Sequence, residues 1–129
     1  MVRSASAGAN FLLNVGPLAT GEIVPVHASR LRAIGAWLKA NGESVYGTRA
    51  GIIPPTRVSV STRKGDTHYI HVLEDRSDCI SLNDVPASVQ QAYLLADGTE
   101  VALEWREGQL ILTVPEEQRD PLDTVIVLS

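Results

Sequence analysis

The chain has 129 residues, of which 44% are hydrophobic, and a formal net charge of −4. This length allows one core, but it falls far short of the roughly 250 residues of a complete eight-stranded α/β barrel. No run reaches the roughly 18 apolar residues of a membrane span and no signal peptide is visible, so we expect a soluble chain without membrane contact.

The charges divide unevenly along the chain. Residues 1–55 carry five Lys and Arg against two acidic residues (+3), and residues 56–129 carry six against thirteen (−7). The change falls at Pro54 and Pro55, which predicts a boundary between a unit over residues 1–50 and a domain over residues 56–129. Scattered basic residues in the first part and acidity in the second argue against nucleic-acid binding.

The most apolar part of the first unit is NFLLNVGP, at Asn10 to Pro17. Four of the six residues from Asn10 to Val15 are large and apolar, without polar alternation. This pattern predicts a parallel strand that is covered on both faces. Such a strand needs neighbours, so we expect it to pair with a second copy of itself, or to dock with the following helix onto the rest of the chain or onto a partner.

A helix is predicted to begin near Pro25, because proline suits a first helical position, and to end at Asn41. Gly42 is expected to take the left-handed conformation that satisfies the last carbonyl groups. Gly35, inside the helix, costs roughly 1 kcal/mol relative to alanine, and close packing against a neighbouring element is the expected compensation. The predicted apolar stripe comprises Ala28, Leu31, Ile34 and Leu38.

Short strands and turns follow one another in the second part. Apolar and polar residues alternate with a period of two, and polar turns such as Asp75 to Asp78, Asp97-Gly98 and Glu107-Gly108 separate the runs. About seven antiparallel strands at this spacing indicate a two-sheet sandwich, so the predicted fold is mainly β, preceded by one strand and one helix. The predicted strands cover residues 57–61, 67–73, 79–82, 92–95, 101–106, 110–114 and 124–128.

Four motifs of the first unit occur in a recognisable order. They are NFLLNVGP at Asn10 to Pro17, TGEI at Thr20 to Ile23, RLRAIGAWLKANGE at Arg30 to Glu43 and VYGTR at Val45 to Arg49. Together they resemble the end of the catalytic barrel of glycoside hydrolase family 29 α-L-fucosidases, and TRKGDTHYIHVL at Thr62 to Leu73 resembles the start of the β-sandwich that follows it. The resemblance implies the last strand and helix of a (β/α)8 barrel followed by a C-terminal sandwich.

The resemblance also implies a retaining glycosidase, in which an aspartate nucleophile and a second acid/base carboxylate hydrolyse terminal α-L-fucosides. Both carboxylates belong to earlier barrel segments, so no catalytic residue, cofactor site or metal ligand is assigned here and the substrate-binding residues stay unknown. Glu22, in a turn, and Glu43, at the end of the helix, are not assigned as nucleophile. Asn14 could support an active site from the carboxyl end of its strand, but a hydrogen bond to the following turn is the simpler expectation.

Other reactive side chains favour structural roles. His68 and His71 are three residues apart on one predicted strand, so they point to opposite faces and could not share a metal. We expect them to be exposed or to pair across strands. Cys79, within the apolar run CISL, is expected to be a small buried hydrophobe.

The tryptophans and one acidic turn complete the candidates. Trp37 on the helix and Trp105 at an inward strand position are expected to pack in the core. The turn from Glu74 to Asp78 lacks the dense oxygen ligands of a calcium loop, so we interpret it as a solvated hairpin.

Three classes of function stay open. The favoured one is the C-terminal piece of an α-L-fucosidase, inactive alone, whose sandwich buttresses a barrel supplied in cis or by a separate chain; fucosylated glycans would then bind only the complete enzyme. The second is an autonomous carbohydrate-binding module that uses an exposed aromatic such as Tyr69 or Tyr93, and the third is an assembly protein. If the chain self-associates through its N-terminal strand, a two-fold dimer is the default. The sequence does not indicate a compartment.

Overall fold

Two antiparallel sheets follow two helices in the computed structural model, which describes residues 1–73 and 78–129. The helices are α1 (Val2–Ser6) and α2 (Pro25–Asn41), and a 3-10 turn, Gly42–Ser44, follows directly. Of the predicted turn from Asp75 to Asp78, only Asp78 is among the described residues. The preceding Glu74 also lies outside them. The strands are β1 (Arg49–Ala50), β2 (Ser59–Lys64), β3 (Thr67–Val72), β4 (Cys79–Leu82), β5 (Ala92–Leu94), β6 (Ala102–Arg106), β7 (Gln109–Thr113) and β8 (Thr124–Leu128).

The strand order confirms the predicted sandwich. The larger sheet has the order β1-β2-β3-β8-β5, and the smaller one has the order β4-β7-β6. All seven predicted strands are present, and the very short edge strand β1 is an addition that the sequence pattern did not indicate. Glu107 and Gly108 both have positive φ, 49° and 84°, which is the geometry of a two-residue hairpin turn between β6 and β7.

The core lies between the facing sides of the two sheets. Because side chains alternate along a strand, one set of positions points inward from each sheet. Strand β8 is an exception, since all five of its residues are buried. Its second face packs under α2, which explains the unbroken apolar run VIVL. Central core residues are Ile70, Ile80, Leu82, Leu110, Leu112, Ile126 and Leu128.

Helix α2 has the predicted bounds, but its C-terminus differs from the prediction. Gly42 is right-handed, with φ −60° and ψ −23°, because the chain continues into the 3-10 turn. A Cβ atom there would lie 2.8 Å from the ring of Tyr46, so a larger residue would require that exposed ring to shift. The close packing expected at Gly35 is also not observed, since a Cβ atom at that position would meet no atom within 4 Å.

Residues 10–15, which we name the apolar ribbon, do not form the predicted strand. Within the described residues no strand pairs with the ribbon, and the only nearby backbone bridge joins Pro17 to Ile23. The prediction of a hydrogen-bonded strand here is therefore corrected. The physical reason is that the described strands pair among themselves, so none of them lies beside the ribbon to bond its backbone.

Helix α1 was not predicted. It is five residues long, and it lies against β1 and β2 with Val2 buried. A single turn and a half contains too few apolar positions to show a helical period, so only its tertiary contacts reveal it.

Candidate functional site

The apolar ribbon is the most exposed hydrophobic part of the chain. Leu12 is 90% exposed, and Phe11 and Leu13 are nearly half exposed. Burying one such side chain contributes roughly 1.5 to 3 kcal/mol, so a partner that covers the ribbon gains substantial free energy. The ribbon is therefore a candidate interaction surface.

A second candidate is the junction between α2 and the larger sheet. The half-buried ring of Trp37 packs against Tyr69, Val125 and Val127, which form a small cluster on the outer face of the sheet. The Nε1–H group of Trp37 also donates a hydrogen bond of 3.2 Å to the backbone oxygen of Asp123. Trp37 therefore packs against this outer-face cluster and not in the core between the sheets, and it attaches the helix to the sandwich.

The end of α2 is fastened to the same sheet by Tyr69. Its hydroxyl donates to Oε1 of Glu43 at 2.8 Å. Burial is the largest cause that raises the pKa of Tyr69 above its usual 10.0, and the hydrogen bond to Glu43 adds to it. Tyr69 therefore stays a neutral donor, and Glu43 has a structural partner.

Beneath Trp37, three side chains form a hydroxyl–imidazole–carboxylate chain. Oγ1 of Thr62 lies 3.4 Å from Nε2 of His71, and Nδ1 of His71 lies 2.9 Å from Oδ2 of Asp123. The ring of His71 is also 6.2 Å from that of Trp37, centroid to centroid. The order of groups matches that of a nucleophile, a base and an orienting acid.

The hydrogen-bonded side chains of Thr62, His71 and Asp123 cannot act as a catalytic triad. Thr62 and His71 are fully buried, and the Thr62 hydroxyl donates to the backbone oxygen of Ser44 at 2.6 Å. A nucleophile must reach its substrate, and Thr62 cannot. Burial raises the pKa of Asp123 despite the opposing hydrogen bond and charge of His71, and Oδ1 of Asp123 has no hydrogen-bond partner among the described residues. The arrangement holds the Asp123 loop against the sheet and the helix.

His68 lies on the opposite face of β3, as predicted, but it is buried rather than exposed, whereas His71 pairs across strands with Thr62. The ring is buried, and its Nδ1 has no hydrogen-bond partner in the described parts of the chain. Desolvation is the main cause that lowers the pKa of His68; the charge of Arg63 adds to it and Asp66 opposes it. Across residues 1–73 and 78–129, no group of three or more His, Cys, Asp or Glu residues could hold a metal ion.

A groove separates the two helices beside this junction. Its volume is about 320 Å³. We name it the α1–α2 groove. Arg30 provides its cationic group, and its apolar walls are formed by Met1, Val2, Ala33, Ile34, Trp37 and Leu122.

The aromatic side chains that could stack on a sugar differ from the prediction in their exposure. Tyr69 is buried and Tyr93 is half-buried, so the expectation of an exposed Tyr69 is wrong. Trp105 is 41% exposed rather than packed in the core, because it lies near the end of edge strand β6, although it shares the inward face with Leu103. Cys79 is exposed rather than buried, because it is on the outer face of β4.

The remaining sequence candidates lie apart from the junction. Asn14 is exposed, and no hydrogen bond joins its side chain to the following turn within the described structure. Glu22 accepts a hydrogen bond from Thr20 at 3.2 Å in an exposed turn. No described helix is both long and apolar enough to cross a bilayer.

The sequence could not reveal how the junction is assembled. Ser44, Thr62, His71 and Asp123 are spread over 80 positions and form no motif. The polar Thr62 and His71 on otherwise strand-like runs are the one available signal, since buried polar groups require partners. Only the strand pairing identifies those partners.

Comparison with known proteins gives one consistent result. The family profile of α-L-fucosidase matches residues 1–43. The chain is 31% identical over 122 residues to tissue α-L-fucosidase of Rattus norvegicus, covering 90% of this chain and 26% of that protein. It is 32% identical to an α-L-fucosidase of Branchiostoma floridae, covering 100% of this chain and 22% of that protein.

Solved structures agree. The α-L-fucosidase isoenzyme 1 of Paenibacillus thiaminolyticus is similar with a TM-score of 0.88 and 36% identity, over 99% of this chain and 32% of that one. A GH29 α-L-fucosidase of Bacteroides thetaiotaomicron is similar with a TM-score of 0.87 and 27% identity, over 99% of this chain and 30% of that one. The chain therefore spans between 22% and 32% of the length of these relatives.

Proposed function

This chain corresponds to the C-terminal portion of the α-L-fucosidases of glycoside hydrolase family 29, and on that basis we propose that it supports their catalytic barrel without performing the chemistry itself. In this proposal residues 1–50 complete the barrel and residues 56–129 form the sandwich that buttresses it. The barrel is supplied in cis or by a separate chain, and fucosylated glycans are the substrates of the complete enzyme only.

The observation that carries the proposal is the apolar ribbon. Its side chains are exposed and its backbone is not paired with any described strand, yet its sequence is that of a strand covered on both faces. Parallel neighbours supplied by a barrel would satisfy both requirements at once. The ribbon is thus explained by the barrel and not by the sandwich.

The junction between α2 and the larger sheet supports the same proposal. Trp37 and Glu43, on or next to α2, are both fastened to the larger sheet by hydrogen bonds. The helix that follows the ribbon is therefore fixed relative to the sandwich. Such an attachment lets the sandwich hold the end of the barrel in place.

In this proposal the two carboxylates of the first unit, Glu22 and Glu43, are not a glycosidase pair. Glu43 is engaged by Tyr69, and Glu22 lies in an exposed turn with Thr20. We therefore expect the isolated chain to give no turnover of a chromogenic α-L-fucoside. The Paenibacillus thiaminolyticus isoenzyme is the positive control, and clear turnover by the isolated chain would refute the proposal.

A chimera tests the support function directly. This chain would replace the equivalent third of the Paenibacillus enzyme, and the chimera is expected to hydrolyse the fucoside. Leu12→Asp should abolish this activity, because it places a charge in the covered ribbon. Ala102→Asp, on an exposed position of β6, is the matched control and should keep it.

An autonomous carbohydrate-binding module is the second candidate, and the exposed Trp105 is the observation that favours it. Titration calorimetry of the isolated chain against fucose and fucosylated oligosaccharides separates the two. Binding through this ring would give saturable heat that Trp105→Ala removes. The buttressing function predicts no saturable heat.

A further inference from the structure

One row of cross-strand neighbours in the larger sheet consists of hydrogen-bond donors. Arg49 of β1 lies directly opposite Arg63 of β2, and Arg63 lies directly opposite His68 of β3. Directly opposite residues of an antiparallel pair project from the same face, with their Cβ atoms roughly 4.5 to 5.5 Å apart. Two guanidinium groups and one imidazole are therefore neighbours at this end of the sheet. We name these three residues the Arg49–His68 row.

The row carries positive charge without a matching carboxylate. Both guanidinium groups are permanently charged, and like charges directly opposite each other are destabilising. In the described parts of the chain, neither Arg49 nor Arg63 forms an ion pair. Nη1 of Arg49 donates to the backbone oxygen of Thr48 at 3.0 Å, and Asp66, in the turn after β2, influences His68 through its charge. An anion beside the row would offset the repulsion between the two arginines.

Two nitrogen atoms of the row are buried and have no hydrogen-bond partner among the residues that the structure describes. They are Nε of Arg63 and Nδ1 of His68. His68 is 4% exposed and Arg63 is half-buried. Buried polar groups require partners, and these two nitrogens do not bond each other. An acceptor oxygen would satisfy them, since Nε of arginine always carries a hydrogen and Nδ1 of a neutral histidine can carry one.

A cleft beside the row gives an ion access to it. Arg49 lines this cleft, together with the end of α1 and the turn before β1, and its volume is about 260 Å³. Pockets for drug-sized ligands have volumes of roughly 300 to 1,000 Å³, so the cleft suits a small ion. Because Nε of Arg63 and Nδ1 of His68 are covered, the half-buried side chain of Arg63 must turn before an ion from the cleft can reach them.

We propose that the Arg49–His68 row binds a small oxyanion of the phosphate or sulfate class. Arg49 and Arg63 provide charged forks whose paired N–H groups match two oxygens of such an ion, and Nδ1–H of His68 donates as a neutral group. The net charge of −7 over residues 56–129 would repel a polyanion, so the ligand is a single small ion. Such a site would function in the isolated chain, whether or not the chain supports a barrel.

Titration of the isolated chain with inorganic phosphate, followed by NMR, tests the site. The pH is fixed and the ionic strength is held constant with chloride, so that the screening of surface charges does not change. We expect the Nε–H signal of Arg63 and the imidazole signals of His68 to shift along one saturable curve, and sulfate to give a similar curve. Shifts that grow without saturation, or that leave Arg63 and His68 unaffected, would overturn the proposal.

A matched pair of variants separates the site from general charge attraction. Arg63→Gln and Lys64→Gln remove the same charge from consecutive residues of β2, whose side chains project from opposite faces. Arg63→Gln should weaken phosphate binding at least about tenfold, because hydrogen bonds to charged groups are the stronger ones. Lys64→Gln should change Kd by less than about twofold. Equal weakening by both variants would refute the site.

Two further variants of the row guard against loss of folding. Arg49→Gln, at an exposed position of the edge strand, should also weaken phosphate binding. Arg63→Lys keeps the charge but lacks the fork, so it should bind phosphate less tightly than the wild type. Amide spectra of each variant report its fold. Folded Arg49→Gln and Arg63→Lys variants that both bind as the wild type does would contradict the proposal.

A carboxylate from the rest of the enzyme is the competing occupant of the row. In the chimera with the Paenibacillus barrel, calorimetry should show phosphate binding with an affinity like that of the isolated chain. Loss of phosphate binding in the chimera would overturn the proposal. A lower Tm on Arg63→Gln in the chimera, without a matching loss in the isolated chain, would then identify a barrel carboxylate as the occupant.

Discussion

The hydroxyl of Tyr69 on β3 donates a 2.8 Å hydrogen bond to the carboxylate of Glu43, which lies in the turn after α2. The two residues are 26 positions apart in sequence. Together with the bond from Trp37 to Asp123, this contact holds α2 on the outer face of the larger sheet. The attachment of the helix thus depends on a few polar contacts around a small apolar cluster.

Tyr69→Phe should lower the free energy of unfolding by about 1.5 kcal/mol, because it removes a hydrogen bond to a charged acceptor. Glu43→Gln should cost less, since the amide oxygen can still accept. Urea denaturation followed by circular dichroism measures both. Tyr46→Phe, at a residue that is 63% exposed, is the control and should change the free energy of unfolding little. A loss equal to that of Tyr69→Phe would contradict the role of the hydrogen bond to Glu43.

The same contact predicts a response to alkaline pH. The raised pKa means that the folded state favours the neutral phenol, so this contribution to stability is complete below pH 10.0 and is lost as pH rises above that value. The free energy of unfolding should therefore fall above pH 10.0. Tyr69→Phe should make that fall shallower, and an unchanged slope would count against a buried neutral phenol.

A response to mild acid is expected from His68. Its lowered pKa means that the folded state favours the neutral ring, so its contribution is present above the usual value of 6.5 and is lost as pH falls below it. The unfolding free energy of the wild type should fall below pH 6.5 more steeply than that of His68→Gln. His27→Gln, at an exposed position, should keep the wild-type slope.

Asp123 also affects the pH dependence of the unfolding free energy, in the direction opposite to that of His68. Its raised pKa means that its contribution is present below 3.8 and is lost as pH rises through the raised value. The comparison of wild type with His68→Gln cancels this effect, because both proteins keep Asp123. The difference between the two curves is therefore the quantity to measure.

Periodicity predicted most of the fold. The alternation from Val101 to Val114 predicted both strands and the hairpin between them, since side chains on a strand alternate between its two faces. Pro25 and the apolar stripe fixed α2 for the same reason. These elements depend on local pattern, which the sequence displays directly.

Exposure was predicted less well, because it depends on which element covers which face. Tyr69 and His71 are on the outer face of the sheet, where Trp37 of α2 packs over them. Cys79 and Trp105 lie on short strands of the smaller sheet, whose edges and outer face are uncovered. The polar junction was missed because its members meet only after the strands have paired.

Self-association should depend on the apolar ribbon. We expect the isolated chain to form dimers or larger species at high concentration, because exposed apolar side chains gain free energy by mutual burial. Leu12→Asn, at a side chain that is 90% exposed, should weaken association in sedimentation velocity while changing the unfolding free energy by less than about 0.5 kcal/mol. If Leu122→Asn weakens association and Leu12→Asn does not, the α1–α2 groove is the interface instead.

Two glycines should respond to alanine in opposite directions. At Gly51 a Cβ atom would overlap Oγ and the backbone oxygen of Ser61, and that hydroxyl is already bonded to the carbonyl of Ile53 at 2.7 Å. Gly51→Ala should therefore lower the unfolding free energy by about 3 kcal/mol through steric overlap. Gly35→Ala adds a Cβ atom in open space within α2 and should raise it by about 0.5 to 1 kcal/mol.

The sign of the Gly35→Ala effect can also change with context. In the isolated chain the added methyl group meets nothing, so urea denaturation should show a gain in stability. In the chimera with the Paenibacillus barrel, a loss of Tm for the same variant would place a barrel element in close contact with this face of α2. A gain in both proteins would mean that the face stays open, and that Gly35 carries the intrinsic cost of a helical glycine without compensation from packing.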